Sequence, residues 1–208
     1  MIDLEKEKEL NALRHEVSSC LKCSLCKTRM HTVFGEGNSS SSIMFVGEAP
    51  GAKEDLSGIP FCGAAGKFLD EMLIKAGLDR SKVYIANTLK CRPPENRDPE
   101  ESEKTECKNY LLHQIEIIKP ALIVCLGRHA TREMLPGMPS ISKIHGHALK
   151  RLNGIVYLPL YHPAAALHNG ALRKTLIDDF MKIPVILGKL GRKAKSLKLK
   201  AKSRGQIE

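Results

Sequence analysis

Four cysteines in this chain are spaced to do chemistry. Cys20 and Cys23 form a C-x-x-C pair, and Cys91 lies in the run Asn87-Thr88-Leu89-Lys90-Cys91-Arg92-Pro93-Pro94, ahead of Cys107. Thiolates spaced this way hold a metal centre or a disulfide. A metal centre here would pin the segment around Asn87 to the N-terminal segment. Three polar segments stand out beside the cysteines: Gly47-Glu48-Ala49-Pro50-Gly51-Ala52-Lys53-Glu54-Asp55, Asn87, and His162-Pro163. Each alone has an ordinary explanation. A histidine before proline caps or hydrogen-bonds, a lone asparagine turns the chain, and G-x-x-P-G is a turn signal.

What raises their interest is the element that precedes each. Ile43–Val46, Val83–Ala86, Ala121–Leu126 and Ile155–Leu160 read as short buried strands. Helices are predicted over 3–18, with Leu10, Leu13 and Val17 on one face, and over 65–76, with Phe68, Leu69, Met72 and Leu73 inward. Others run from an Asp98 cap with Pro99 first to about 118, over 128–135, and as one final helix over 164–183. Strand–helix alternation predicts an α/β fold, a three-layer α/β/α sandwich around a four-stranded parallel sheet. Ligands of such sheets bind beyond the carboxyl ends of the strands. Glu48, Glu54, Asn87 and His162 are therefore expected in one pocket.

The net charge of +10 is unevenly placed. From Lys189 to Glu208 there are eight Lys/Arg and one Glu, a sum of +7, which leaves +3 on the rest of the chain. A nearly neutral body with a basic tail suits a polyanion partner, since lysine and arginine release counterions from phosphates. A solvated tail that aids solubility is the bland alternative. No run of about 18 apolar residues predicts a membrane span. The charged N-terminus lacks an apolar signal core, so an intracellular, cytoplasmic protein is expected, with its thiols reduced and available for metal.

Gly47-Glu48-Ala49-Pro50-Gly51, with Glu54-Asp55, Pro60-Phe61, Asn87, Lys90-Cys91-Arg92-Pro93-Pro94 and His162-Pro163, resembles family 4 uracil-DNA glycosylase, the iron–sulfur type of bacteria and archaea. The similarity covers about residues 17 to 180. It implies that Cys20, Cys23, Cys91 and Cys107 ligate a structural 4Fe–4S cluster, although a zinc site with four cysteines would look the same in sequence. It implies that Phe61 stacks on a flipped uracil, that the backbone of Gly47 to Ala49 cradles it, and that Asn87 reads its Watson–Crick edge. His162 matches a histidine near uracil O2, where charge develops as the C1′–N1 bond breaks. Glu48 or Glu54 would orient the attacking water, and both remain candidates. The turn Pro163-Ala164-Ala165-Ala166-Leu167 resembles a DNA-intercalating loop, with Leu167 as wedge and His168 and Arg173 nearby. The alternative places Leu167 on the core face of a helix. Gly127-Arg128 and the loop around Lys143 are phosphate-contact candidates.

The expected activity is monofunctional: uracil is cleaved from single- or double-stranded DNA, leaving an abasic site that initiates base excision repair. No lysine is placed for Schiff-base chemistry. The chain is expected to act as a monomer, with one domain over 1–187 and a basic, flexible tail over 188–208 that could engage a replication or repair protein. Family 5 enzymes lack the Glu48 carboxylate, and no basic insertion follows Lys90 as in variants that trap uracil covalently. A non-catalytic iron–sulfur DNA-binding protein is the alternative from another class. Cys26, which makes the run C-x-x-C-x-x-C, is one thiol more than a cluster needs, Cys62 has no expected metal role, and Cys125 reads as core.

Overall fold

The structure, a computed structural model, describes residues 3–167 and 169–191. Six strands form one sheet in the order β1-β3-β2-β4-β6-β5. The four central strands are parallel: β2 (Ile43–Gly47), β3 (Tyr84–Asn87), β4 (Leu122–Leu126) and β6 (Val156–Leu160). Every residue of these strands is buried, which is why they read as continuous apolar runs rather than as alternating ones. They are the four predicted strands. Two antiparallel edge strands, β1 (Glu36–Gly37) and β5 (Leu149–Lys150), flank them, each too short to leave a pattern in the sequence.

Alternate residues of each central strand feed opposite faces of the sheet. Met44, Val46, Ile123 and Cys125 pack with Leu10, Leu13 and Val17 of α1 (Leu4–Ser18) and with Tyr110 and Leu111 of α4 (Glu101–Ile118). Ile43, Phe45, Val124 and Leu158 pack with Phe68, Leu69 and Met72 of α3 (Ala64–Lys75) and with Leu176 and Phe180 of α8 (Gly170–Phe180). These layers are the expected α/β/α sandwich. Cys125 is fully buried in the first core, as its apolar strand predicts.

Local partners moved some helix ends. Asp98 does not cap α4. Glu100 does, through a reciprocal box in which Glu103 accepts the Glu100 N–H at 2.9 Å. The buried Glu103 carboxylate also takes two bonds from Arg97, at 2.9 and 2.6 Å, which fixes the helix start two residues later than expected. Asp98 instead pairs with Arg128 at 2.9 Å. The expected final helix is broken into α7 (Pro163–Leu167) and α8, because the Asn169 side chain accepts the Leu172 N–H at 3.1 Å and starts a new helix. A helical stretch over 183–191 runs through the expected domain boundary at 187. His168 and the tail from 192 onward lie outside the described residues. Among the described residues no helix is long and apolar enough to cross a membrane. Three further short helices are α2 (Ala52–Ser57) after β2, α5 (Gly127–Met134) after β4 and α6 (Ile141–Ile144) beyond it.

The chain runs from β2 outward to β3 and then crosses to the other side of β2 to form β4. Loops that leave the strand ends in opposite directions open a crevice there.

Candidate active site

A cavity of about 360 Å³ opens at the carboxyl ends of the strands, lined by Glu48, Glu54, Phe61, Asn87, Arg97 and His162 among others. The four polar residues expected to meet do share it. Their meeting follows from the register, since Gly47, the last residue of β2, lies directly beside Asn87, the last of β3. A Cβ on Gly47 would sit 2.4 Å from Asn87 Oδ1 and 2.7 Å from Phe61 Cζ, so only glycine leaves the floor of the pocket open.

Asn87 is 2 % exposed, and its Oδ1 has no hydrogen-bond partner. A buried acceptor without a donor is costly unless a ligand supplies one. Phe61 adopts a left-handed backbone conformation (φ 52°), unusual for a bulky residue. Two contacts impose it. Glu54 Oε1 accepts the Gly63 N–H at 2.8 Å, and the first turn of α3 approaches so closely that a Cβ on Gly66 would lie 1.6 Å from the Phe61 carbonyl oxygen. The Phe61 ring then stacks on His162, with centroids 5.8 Å apart.

Burial holds the His162 imidazole down to about 4, against a smaller upward pull from Glu54, so the ring is neutral near pH 7. Its Nδ1 lies 3.1 Å from the Ala164 N–H and accepts that bond. The ring proton is then on Nε2, which becomes a donor. The Glu48 carboxyl is raised by burial and then by the charge of Asp98. Its Oε1 is 3.8 Å from His129 Nε2, and His129 is in turn 3.3 Å from Asp98. The His129–Asp98 neighbourhood was missed from sequence, because the three residues come together only through the β3–α4 loop and α5.

Cys20, Cys23, Cys91 and Cys107 line one further cavity, together with Cys26. Arg29 donates to Cys91 Sγ at 3.3 Å and the Lys90 N–H to Cys107 Sγ at 3.2 Å. Among the described residues no three of these sulfurs lie within 4.8 Å of one another. A single tetrahedral zinc would draw its sulfurs to about 3.8 Å apart, given Zn–S bonds of ~2.3 Å. Four thiolates are also the donor set that a 4Fe–4S cluster takes. Lys90 is fully buried, and its Nζ donates to the Asn87 carbonyl at 2.9 Å and to Gln114 Oε1 at 2.6 Å. Both partners are neutral, and nearby thiolates at Cys91 and Cys107 would balance the ammonium. Sequence reasoning missed this link. Its one signal was a lysine set between Leu89 and Cys91 in an otherwise buried segment.

The expected DNA contacts are more dispersed. Leu167 is 36 % exposed at the end of α7, off the core face. Lys143 is exposed on α6. Arg128 is tied to Asp98 at the edge of the Glu48 neighbourhood. Arg173 is not free, since its guanidinium lies 4.0 Å from the Phe68 ring centroid and 2.8 Å from Glu71.

Residues 34–182 match the family model described as the uracil DNA glycosylase superfamily. The chain is 50 % identical over 182 residues to a type-4 uracil-DNA glycosylase of Sulfurisphaera tokodaii, covering 84 % of this chain and 83 % of that one. It is 40 % identical over 189 residues to a type-4 uracil-DNA glycosylase of Thermotoga maritima, covering 89 % and 98 %. Similarity to a type-5 uracil-DNA glycosylase of Pyrobaculum aerophilum is lower, 30 % over 145 residues, or 62 % of this chain and 63 % of that one. The chain belongs to the uracil-DNA glycosylase superfamily, in its type-4 branch.

Proposed function

We propose that this chain excises uracil from DNA by hydrolysing the C1′–N1 bond, and that the unpartnered Asn87 Oδ1 at the pocket is the feature that selects the base. Uracil N3–H is the donor this oxygen lacks, and the Asn87 amide N–H can reach O4. Cytosine presents the opposite pattern. A base stacked in a duplex must first be extruded, and the pocket takes it onto the Phe61 ring, with the Gly47–Ala49 turn as its cradle. As the bond breaks, the electron pair passes to the uracil ring. The His162 Nε2–H stabilises the charge that develops at O2. Glu48 positions the water whose oxygen attacks C1′ and takes up its proton. Glu54 is assigned a different task, because its Oε1 is engaged in holding the Phe61 loop.

Cys20, Cys23, Cys91 and Cys107 are proposed to hold a 4Fe–4S cluster, which supplies no chemical step and acts as a brace. The loop it braces needs one. Glu95 and Asn96 both take left-handed conformations, and Pro93, Asn96 and Arg97 form one wall of the pocket. Cys91 and Cys107 grip this loop on its two sides. Leu167 is proposed to wedge into the gap left by the base, with Arg128 and Lys143 on phosphates and the basic tail adding affinity or a replication or repair partner. The chain is proposed to act as a monomer in the cytoplasm on single- and double-stranded DNA.

No lysine is among the described residues that line the pocket, which supports a monofunctional enzyme. Incubation with uracil-containing single strands and duplexes, analysed without alkali, should leave every strand intact but abasic. A nicked strand carrying a β-elimination product would contradict this.

Two variants probe the pocket. Gly47→Ala should lower excision by about 10²-fold through misplacement of Asn87 and Phe61, at a cost of about 1–3 kcal/mol in stability. Wild-type rates in this variant would displace the base from the proposed position. Water activation needs Glu48 ionised, so the rate should fall as pH drops through its raised value, with the acid limb above the ordinary glutamate value of about 4.3. His162, at about 4, stays neutral across that limb. Glu48→Gln should lower the single-turnover rate by about 10²-fold and abolish the limb. Loss of the limb in Glu54→Gln instead would exchange the two roles.

A further inference from the structure

We propose that Cys26 is a reserve ligand of the thiolate centre, placed to take the corner of Cys23 when that ligand is lost. The inference rests on the cluster proposed above. Five thiols line a cavity where a 4Fe–4S cluster uses four. Cys26 is the fifth, and its place is fixed. It sits in a 3-10 turn, Ser24–Lys27, that begins at Cys23, and the Cys26 N–H closes the turn on the Cys23 carbonyl at 3.2 Å. Cys23 itself, at the head of the turn, has an extended backbone (φ −142°, ψ 171°). The closed turn keeps Cys26 beside Cys23 on the wall of the same cavity.

The turn cannot swing freely. Leu25 between the two cysteines is 2 % exposed in the core, and Ser24 Oγ donates to the buried Glu103 at 3.3 Å. Arg29, the residue that donates to Cys91, lines the same cavity as Cys26. The exchange is a plain ligand substitution. With a cluster bound, a Cys26 sulfur–iron bond would replace the Cys23 sulfur–iron bond, the Cys26 proton passing to solvent and the released Cys23 thiolate taking one up. No electrons are transferred.

The test measures iron and acid-labile sulfide per chain, with the absorbance near roughly 400 nm that cysteine-ligated clusters show. Cys26→Ser should keep the full wild-type content. Cys23→Ser should keep its cluster, while the double variant Cys23→Ser, Cys26→Ser should lose it. Loss in Cys23→Ser alone would overturn the proposal, and so would loss in Cys26→Ser alone, which would make Cys26 a primary ligand. Retention in the double variant would also overturn it. Alkylation of the native wild-type holoprotein, read by mass spectrometry, needs no variant to fold. Cys26 should be modified while Cys20, Cys23, Cys91 and Cys107 are protected, and the opposite pattern at Cys23 and Cys26 would overturn the assignment. Wild-type protein that carries zinc, or no metal, would instead sink the cluster itself, and this proposal with it.

Discussion

Asn87→Asp should move excision from uracil toward cytosine. The side chain is 2 % exposed, so a carboxyl placed there is desolvated and favours its protonated form. A protonated carboxyl donates to cytosine N3 and accepts from its exocyclic amine. Facing uracil, the same protonation sets a donor against N3–H and an acceptor against O4, and only a proton on the other oxygen regains the asparagine pattern. Sites built around such buried polar contacts reject the mismatched ligand by about 10⁴-fold, so the ratio of uracil to cytosine excision should fall by up to that order. Competition between otherwise identical uracil- and cytosine-containing strands measures it. An unchanged base preference would remove Asn87 from the role of reader.

His162→Ala should lower the single-turnover rate by about 10²–10³-fold with little change in affinity for uracil-containing DNA. The reason is that its donor acts where charge appears only in the transition state. Its environment is tuned for this: burial keeps the ring neutral, and the Ala164 N–H fixes the proton on the nitrogen left free. Rate and binding measured separately test the claim. A rate within about tenfold of wild type, or a loss confined to binding, would assign the histidine to the stacking contact with Phe61 instead.

The four parallel strands were legible because each is buried on both faces and so reads as an unbroken apolar run. The polar residues at their ends were legible for the same reason, as sharp departures from those runs. Asp98 misled because a cap is judged locally, whereas Glu103 won the helix end through Arg97, and Asp98 went to Arg128 on another element. The break before α8 falls at Asn169-Gly170, where the asparagine side chain caps the new helix and the glycine disfavours the old one. The choice between Glu48 and Glu54 could not be made from spacing. The proposed choice turns on the Glu54 carboxylate already accepting the Gly63 N–H, nine residues along. The Lys90–Gln114 pair joins residues 24 apart, and only the fold brings them together beneath Asn87.

The central claim is that the strand-end loops form a working site for uracil hydrolysis. The most direct measurement is incubation of the holoprotein with an end-labelled strand carrying one uracil, followed by heating in alkali. Cleavage at the former uracil position, and at no cytosine or thymine, is the expected result. An intact strand from protein with a full metal complement would contradict the account.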